Sequence, residues 1–113
     1  MEPEGRLPAE LWIKAHIRRC MVDGIPATVV HRGEKNSGML VLKINQLGDG
    51  VRVLSQTRDL DGALAWMPAL GGKLVPEAEA DAYIERAVQR DPDVWVVEIE
   101  SRDGSHPFEG KVL

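Results

Sequence analysis

The sequence predicts an α+β domain in which a mostly antiparallel sheet of about five strands has two helices packed on it. Two observations favour this class. From residue 25 onward, short runs of alternating apolar residues are separated by turn residues, which is typical of an antiparallel meander. Between residues 76 and 90, apolar residues recur every three or four positions, which is typical of an amphipathic helix.

The length and composition fit one globular domain. The chain has 113 residues, of which 43% are hydrophobic and 28% are charged, so we assign residues 1–113 to a single domain and residues 1–8 to a flexible N-terminal tail. No apolar run approaches the roughly 20 residues that span a bilayer, and the acidic N-terminus lacks the apolar region of a secretory signal. The lone Cys20 cannot form an internal disulfide. We therefore expect a cytoplasmic protein.

The first segment has two interpretations. The preferred one is a short strand at residues 10–13 followed by a helix at residues 14–23, with Gly24 at the position of a C-cap. The residues spaced for one buried helix face are Ile13, Ile17, Cys20 and Met21. The alternative is a longer strand and a shorter helix, since Leu11, Ile13, Ala15 and Ile17 alternate.

The meander follows as four short strands. They are predicted at residues 27–32, 39–45, 51–55 and 63–67. Glycines bound the loop at residues 33–38, which we interpret as a hairpin turn, and the Asp49-Gly50 pair predicts a tight hairpin between the second and third strands. Pro68 ends the fourth strand.

The clearest helix begins at Pro76 and ends before Asp91-Pro92. Its apolar stripe consists of Ala80, Tyr83, Ile84, Ala87 and Val88. A strand at residues 94–100 follows, with Trp95, Val97 and Ile99 facing the core. Its other face turns from apolar to acidic, and we expect Glu98 and Glu100 to pair with Lys43 or Arg52 across the sheet.

The charge is unevenly distributed along the chain. Residues 1–58 contain nine Lys/Arg and six Asp/Glu, whereas residues 59–113 contain five and twelve. The predicted binding residues on a basic surface are Arg18, Arg19, Arg32 and Lys43. The partner that such a surface favours is an unidentified protein or a small anionic ligand, and an exposed sheet edge that pairs two chains would give a homodimer. Scattered aromatic residues disfavour nucleic acid.

No motif supplies a matched nucleophile and base, a complete metal set or a cofactor site. His16 and Cys20 are spaced to share a helix face, but too few further ligands accompany them. We therefore expect a non-enzymatic binding or protein-interaction module, with no catalytic residue, metal or cofactor. The alternative is a small-molecule or phosphate-ligand binding protein, or a small enzyme, whose pocket would gather His31, Asp93, Glu98 and His106.

As a whole, the chain resembles the domain of unknown function 1491 family of alphaproteobacteria. The segments that carry the resemblance are Leu11-Trp12-Ile13-Lys14-Ala15, Arg18-Arg19, Gly24, Pro26-Ala27, Arg32-Gly33, Gly38, Leu42-Lys43, Asp91-Pro92-Asp93-Val94-Trp95-Val96-Val97-Glu98, Arg102, Gly104 and His106-Pro107-Phe108. In that family an Asp commonly follows the glycine of the first turn, and Glu34 takes that position here. The resemblance implies a small bacterial cytoplasmic domain and brings no established activity.

Overall fold

The computed structural model describes residues 7–113. Its helices are α1 (Ala9–Val22) and α2 (Glu77–Arg90). Its strands are β1 (Ala27–His31), β2 (Leu40–Asn45), β3 (Val51–Arg58), β4 (Leu64–Pro68), β5 (Trp95–Glu100) and β6 (Lys111–Val112). Of the tail predicted for residues 1–8, residues 1–6 lie outside the described part, and Pro8 is the N-cap of α1.

The six strands form one mixed sheet in the order β1-β5-β2-β3-β4-β6. The α+β class is confirmed, but the prediction of a mostly antiparallel sheet of five strands was wrong. Strand β2 runs parallel to β5, and β4 runs parallel to β6. The parallel pair in the centre arises because α2 carries the chain from β4 back across the sheet, so that β5 enters beside β2.

The loop at residues 33–38 does not close a hairpin, because β5 lies between β1 and β2. The loop instead crosses the end of β5, where Glu34 donates its backbone N–H to the Asp93 carbonyl at 2.9 Å. The Trp95 indole N–H donates to the Glu34 carbonyl at 2.8 Å. Strands β2 and β3 do form the predicted antiparallel hairpin, with Gly50 at a positive φ of 113°.

The two helices cover opposite faces of the sheet. Residues of α1 pack with alternate residues of β2 and β5, such as Leu42 and Val97, whereas α2 packs with the intervening residues, such as Val41 and Val96. Strand β5 is therefore buried on both faces along most of its length. The second face changes from apolar to acidic as predicted, first at Glu98, which is half-buried, and then at Glu100, which is exposed.

Helix α1 begins at Ala9, so the predicted strand at residues 10–13 and its longer alternative were both wrong. The first turn is capped by a distant loop. Ala9 and Glu10 donate their backbone N–H groups to the carbonyls of Asn36 and Lys35 at 3.0 and 2.9 Å. This tertiary contact satisfies the helix start without a side-chain cap, and the local sequence gives no sign of it.

The end of α1 agrees with the sequence. Gly24 has a φ of 76° and donates its N–H to Met21, and Ile25 donates to the Cys20 carbonyl at 2.8 Å. These bonds satisfy the last carbonyls of the helix and turn the chain into β1. No helix among residues 7–113 is both long and apolar enough to cross a bilayer.

Candidate interaction surface

Helix α1 has a buried face and an exposed face that also carries apolar residues. Ile13, His16 and Cys20 face the core. On the other side, Met21 and Val22 are 69% and 81% exposed. We call this side the outer face of α1, and its members are Leu11, Lys14, Arg18, Arg19, Met21 and Val22.

The exposure of Met21 contradicts the sequence prediction, which placed this residue on the buried face with Cys20. Cys20 is fully buried, and the helix turns by about 100° per residue, so its neighbour Met21 points toward the edge of the buried stripe. The prediction grouped the two because both are apolar. His16, which lies four residues before Cys20, is on the buried face instead.

The charges on the outer face are only partly neutralised. Lys14 lies 3.6 Å from Glu10 on the same helix. Arg18 and Arg19 are exposed, and within residues 7–113 neither has a carboxylate within 4 Å. These two guanidinium groups are therefore available to an acidic partner, beside exposed apolar side chains.

Arg32, a third predicted binding residue, is committed to contacts within the chain. Its Nη1 donates to Glu10 Oε2 at 2.9 Å, and its guanidinium lies 5.6 Å from the centre of the Trp95 ring. The hydrogen bond from Arg32 holds the pKa of Glu10 below its ordinary value. Arg32 thus ties the start of α1 to the end of β1.

Lys43, the fourth predicted binding residue, lies on the opposite side of the sheet from α1. Its side chain is only 6% exposed, and its Nζ lies 2.8 Å from Glu77 and 2.7 Å from Asp81, both of α2. Glu98 of β5 follows at 3.6 Å, which confirms the predicted pairing of Glu98 with Lys43. Burial opposes the charge of the Lys43 ammonium, but the hydrogen bonds that it donates to Asp81 and Glu77 outweigh this effect and raise the pKa of Lys43.

The four predicted residues therefore do not form one basic surface. Arg18 and Arg19 lie together on α1, Arg32 lies beyond the end of β1, and Lys43 lies beneath α2. Sequence reasoning could not separate them, since exposed and buried basic residues look alike until the strand faces and helix positions are known.

The predicted alternative pocket is not formed either. The His106 ring lies beside Phe108 on the α1 side, with centroids 6.0 Å apart and the rings tilted by 55°, whereas Glu98 faces Lys43 on the α2 side. His31 Nδ1 donates one hydrogen bond to the Val94 carbonyl at 2.8 Å. Asp93 is exposed in the turn before β5. These four side chains cannot act on one small molecule.

His16 and Cys20 share the inner face of α1, as their spacing predicts. Desolvation raises the pKa of the Cys20 thiol, which favours an inert, packed thiol over a reactive thiolate. His16 Nδ1 lies 2.7 Å from the Trp12 carbonyl. Within residues 7–113, no group of three or more His, Cys, Asp or Glu side chains is arranged to hold a metal ion.

Comparison with protein families identifies the chain. The model of a family described as "Protein of unknown function (DUF1491)" matches residues 7–109. The chain belongs to the DUF1491 family. The match includes both helices and the first five strands, so it extends over almost all of the described DUF1491 domain.

Solved structures agree with this assignment. A crystal structure of a DUF1491 family protein from Caulobacter crescentus is 37% identical, with 96% of this chain and 100% of that chain covered and a TM-score of 0.85. An NMR structure of a DUF1491 family protein from the same organism is 37% identical, covers 95% and 96%, and has a TM-score of 0.81. Protein Atu0922 from A. tumefaciens is 26% identical over 85% and 86% of the two chains, with a TM-score of 0.71. No curated protein matches this DUF1491 chain significantly.

Proposed function

We propose that this domain is a non-enzymatic protein-interaction module that binds an acidic, partly apolar segment of another protein on the outer face of α1. The observation that carries the proposal is the combination of exposed Met21 and Val22 with Arg18 and Arg19, which have no carboxylate partner within residues 7–113. Exposed apolar side chains next to arginines are typical of protein interfaces.

The chemistry of this surface favours a protein segment over a small anion. Met21 is flexible and polarizable, so it adapts to apolar side chains of a partner. Lys14, Arg18, Met21 and Val22 line a shallow groove on the helix. Arg19 is exposed next to Arg18 but does not line the groove. A small anion would use the charges but would leave the apolar residues in water, whereas an amphipathic acidic segment would use both.

Of the four predicted binding residues, Arg18 and Arg19 belong to the proposed binding surface. Arg32 and Lys43 instead form contacts within the domain. It involves no metal or cofactor. We infer a cytoplasmic setting for the interaction, which is supported by a fully buried, unpaired Cys20.

The test compares two charge reversals of equal size. Arg18→Glu with Arg19→Glu changes the outer face of α1, and Arg86→Glu with Arg90→Glu makes the same change on exposed positions of α2, across the sheet. Proteins that co-purify with the domain from its own cells are quantified for each variant. A candidate partner is then purified, and its affinity is measured at two salt concentrations.

The expected partner binds the wild-type protein and the α2 variant equally well, and loses at least about tenfold in affinity with the α1 variant. Added salt should weaken the wild-type complex. Equal loss with both variants, or binding that is insensitive to Arg18 and Arg19, would refute the proposal. NMR amide shifts that leave α1 unaffected on adding the purified partner would also refute it.

A further inference from the structure

A cavity of about 550 Å³ lies beside the N-terminal part of α1, which contributes Ala9, Trp12 and Ile13 to its wall. Its apolar wall is formed by Trp12, Ile13, Met39 and Leu64. The volume lies within the range of about 300–1,000 Å³ that is usual for small-molecule sites. None of the residues of the outer face of α1 lines this cavity, so the two sites are independent.

The walls of the cavity are held by hydrogen bonds that do not involve a ligand. The loop carbonyls of Lys35 and Asn36 accept the first N–H groups of α1. Glu34 closes the same loop by accepting the backbone N–H of Ser37 at 2.7 Å. The site is therefore formed before a ligand arrives, which lowers the entropy cost of binding.

Among the described residues that line the cavity, Arg58 is the one cation. Its Nη1 donates to the neutral Gly62 carbonyl at 2.8 Å, and within residues 7–113 no carboxylate lies within 4 Å of its guanidinium. Glu109, the acid on the wall, has a side chain that is 64% exposed, so water screens its charge, and its Oε1 lies 3.3 Å from His16 Nε2.

A second polar group of the wall can assist Arg58. Gln56 lies two residues earlier on β3 and therefore on the same face of the sheet. Its side-chain oxygen accepts the Leu40 N–H at 3.2 Å, which leaves the amide NH₂ as a donor. The free N–H groups of the Gln56 amide and of the Arg58 guanidinium both suit a negatively charged oxygen group.

We propose that this cavity binds a small amphipathic carboxylate. The apolar part of the ligand packs against Trp12 and Leu64, and its carboxylate accepts hydrogen bonds from Arg58 and Gln56. Guanidinium and carboxylate match in geometry, so this contact selects a carboxylate over a neutral or cationic head group of the same length.

The test is an NMR titration of the ¹⁵N-labelled protein with octanoate, octan-1-ol and octylammonium, which share a chain length and differ in head-group charge. Octanoate should shift the Trp12 indole N–H and the amides of residues 36–39, 56–58 and 64. The alcohol should bind at least about three times more weakly, and the amine should bind no better than the alcohol.

Two variants assign the binding to the cavity. Arg58→Gln should weaken octanoate binding about three- to tenfold and leave the affinity for octan-1-ol unchanged, whereas the exposed control Arg102→Gln should change neither. Ala9→Leu, which adds volume to the wall, should weaken both ligands. Equal or tighter binding of the amine, an unchanged octanoate affinity in Arg58→Gln, or the absence of shifts at the cavity would each overturn the proposal. If Ala9→Leu is unstable, Arg58→Gln alone still decides the test.

Discussion

At the scale of single residues, Glu34 organises the loop that caps α1. Its Oε1 accepts the N–H and hydroxyl of Ser37 at 2.7 and 3.0 Å and the N–H of Asn36 at 2.9 Å. These bonds, led by the Ser37 N–H, hold the pKa of Glu34 below its ordinary value. The acid at position 34 therefore has a structural role. The Glu34 side chain is longer than that of the Asp common in the family, and it still bonds to residues 36 and 37 of the same loop.

The depressed pKa of Glu34 makes stability depend on pH. The stabilisation is fully present above the pKa of the unfolded chain, about 4.3, and is lost as the pH falls through the lower pKa of the folded state. The wild-type melting temperature should therefore fall more between pH 5 and pH 3 than that of Glu34→Gln. Thermal unfolding followed by circular dichroism measures both. Glu100→Gln, at an exposed strand end, should keep the wild-type slope. Parallel curves for wild type and Glu34→Gln would contradict this role.

Lys43 has the opposite environment, since it is a buried cation among three carboxylates. Lys43→Met should lower the free energy of unfolding by about 1–3 kcal/mol, because the carboxylates lose their counter-charge. The cost stays moderate because Glu77 and Asp81 are each 54% exposed and can turn to water. Urea denaturation measures the change.

Glu98 distinguishes the charge effect from packing, because it is only 24% exposed and cannot reach water as easily. Adding Glu98→Gln to Lys43→Met should recover part of the lost stability. A single Lys43→Met variant as stable as wild type would show that the ion pairs add nothing to the attachment of α2.

At the scale of elements, the contact between the loop at residues 33–38 and β5 depends on glycine. A Cβ at Gly38 would overlap with the Asp93 carbonyl oxygen and would lie 2.8 Å from the Trp95 ring. Gly38→Ala should therefore destabilise the domain by about 2–3 kcal/mol in urea denaturation. Gly48→Ala is the matched control, since nothing lies within 4 Å of its added Cβ, and it should stay within about 0.5 kcal/mol of wild type. Equal stabilities would mean that the loop can move away from β5.

Elements with a strong local pattern could be predicted from the sequence, and those fixed by distant contacts could not. Helix α2 has a proline at its N-cap and a regular apolar stripe, and it was predicted almost to the residue. The start of α1 depends on carbonyls of residues 35 and 36, so its sequence looked like a strand. Strand β6 has two residues and pairs with β4 only through the fold, so no local pattern could reveal it.

The candidate sites show the same division. The charge pattern identified Arg18 and Arg19, which remain exposed on α1, but it could not show that Lys43 faces α2. The cavity wall combines α1, β3, β4 and the segment before β6. Residues so distant in sequence come together only through the order of the strands. The sequence around Arg58 therefore did not indicate that this residue lines a cavity.

At the scale of the whole molecule, both edges of the sheet are poor templates for another strand. Strand β1 is preceded by Pro26 and interrupted by a bulge at Val30, which leaves residues 27–29 as its regular part. The other edge, β6, has two residues. We therefore expect no dimer held by strand pairing, in contrast to the homodimer considered from the sequence.

Light scattering after size-exclusion chromatography measures this directly. The mass should equal that of one 12.5 kDa chain at micromolar concentration, and Val29→Lys on the β1 edge should leave it unchanged. Twice that mass, reduced to one chain by Val29→Lys, would show that the edge does pair.

The position of β5 also bears on how the protein is made. Because β5 lies between β1 and β2 but follows α2 in the chain, a growing polypeptide can form only two separate pieces before it: α1 with β1, and the antiparallel strands β2 to β4 with α2 packed on one face. Neither piece buries both faces of its central strand. The nascent chain must therefore expose the unpaired sides of β1 and β2 until residues 95–100 leave the ribosome, so folding should be late and cooperative, and ribosome-associated chaperones should be needed most just before that point.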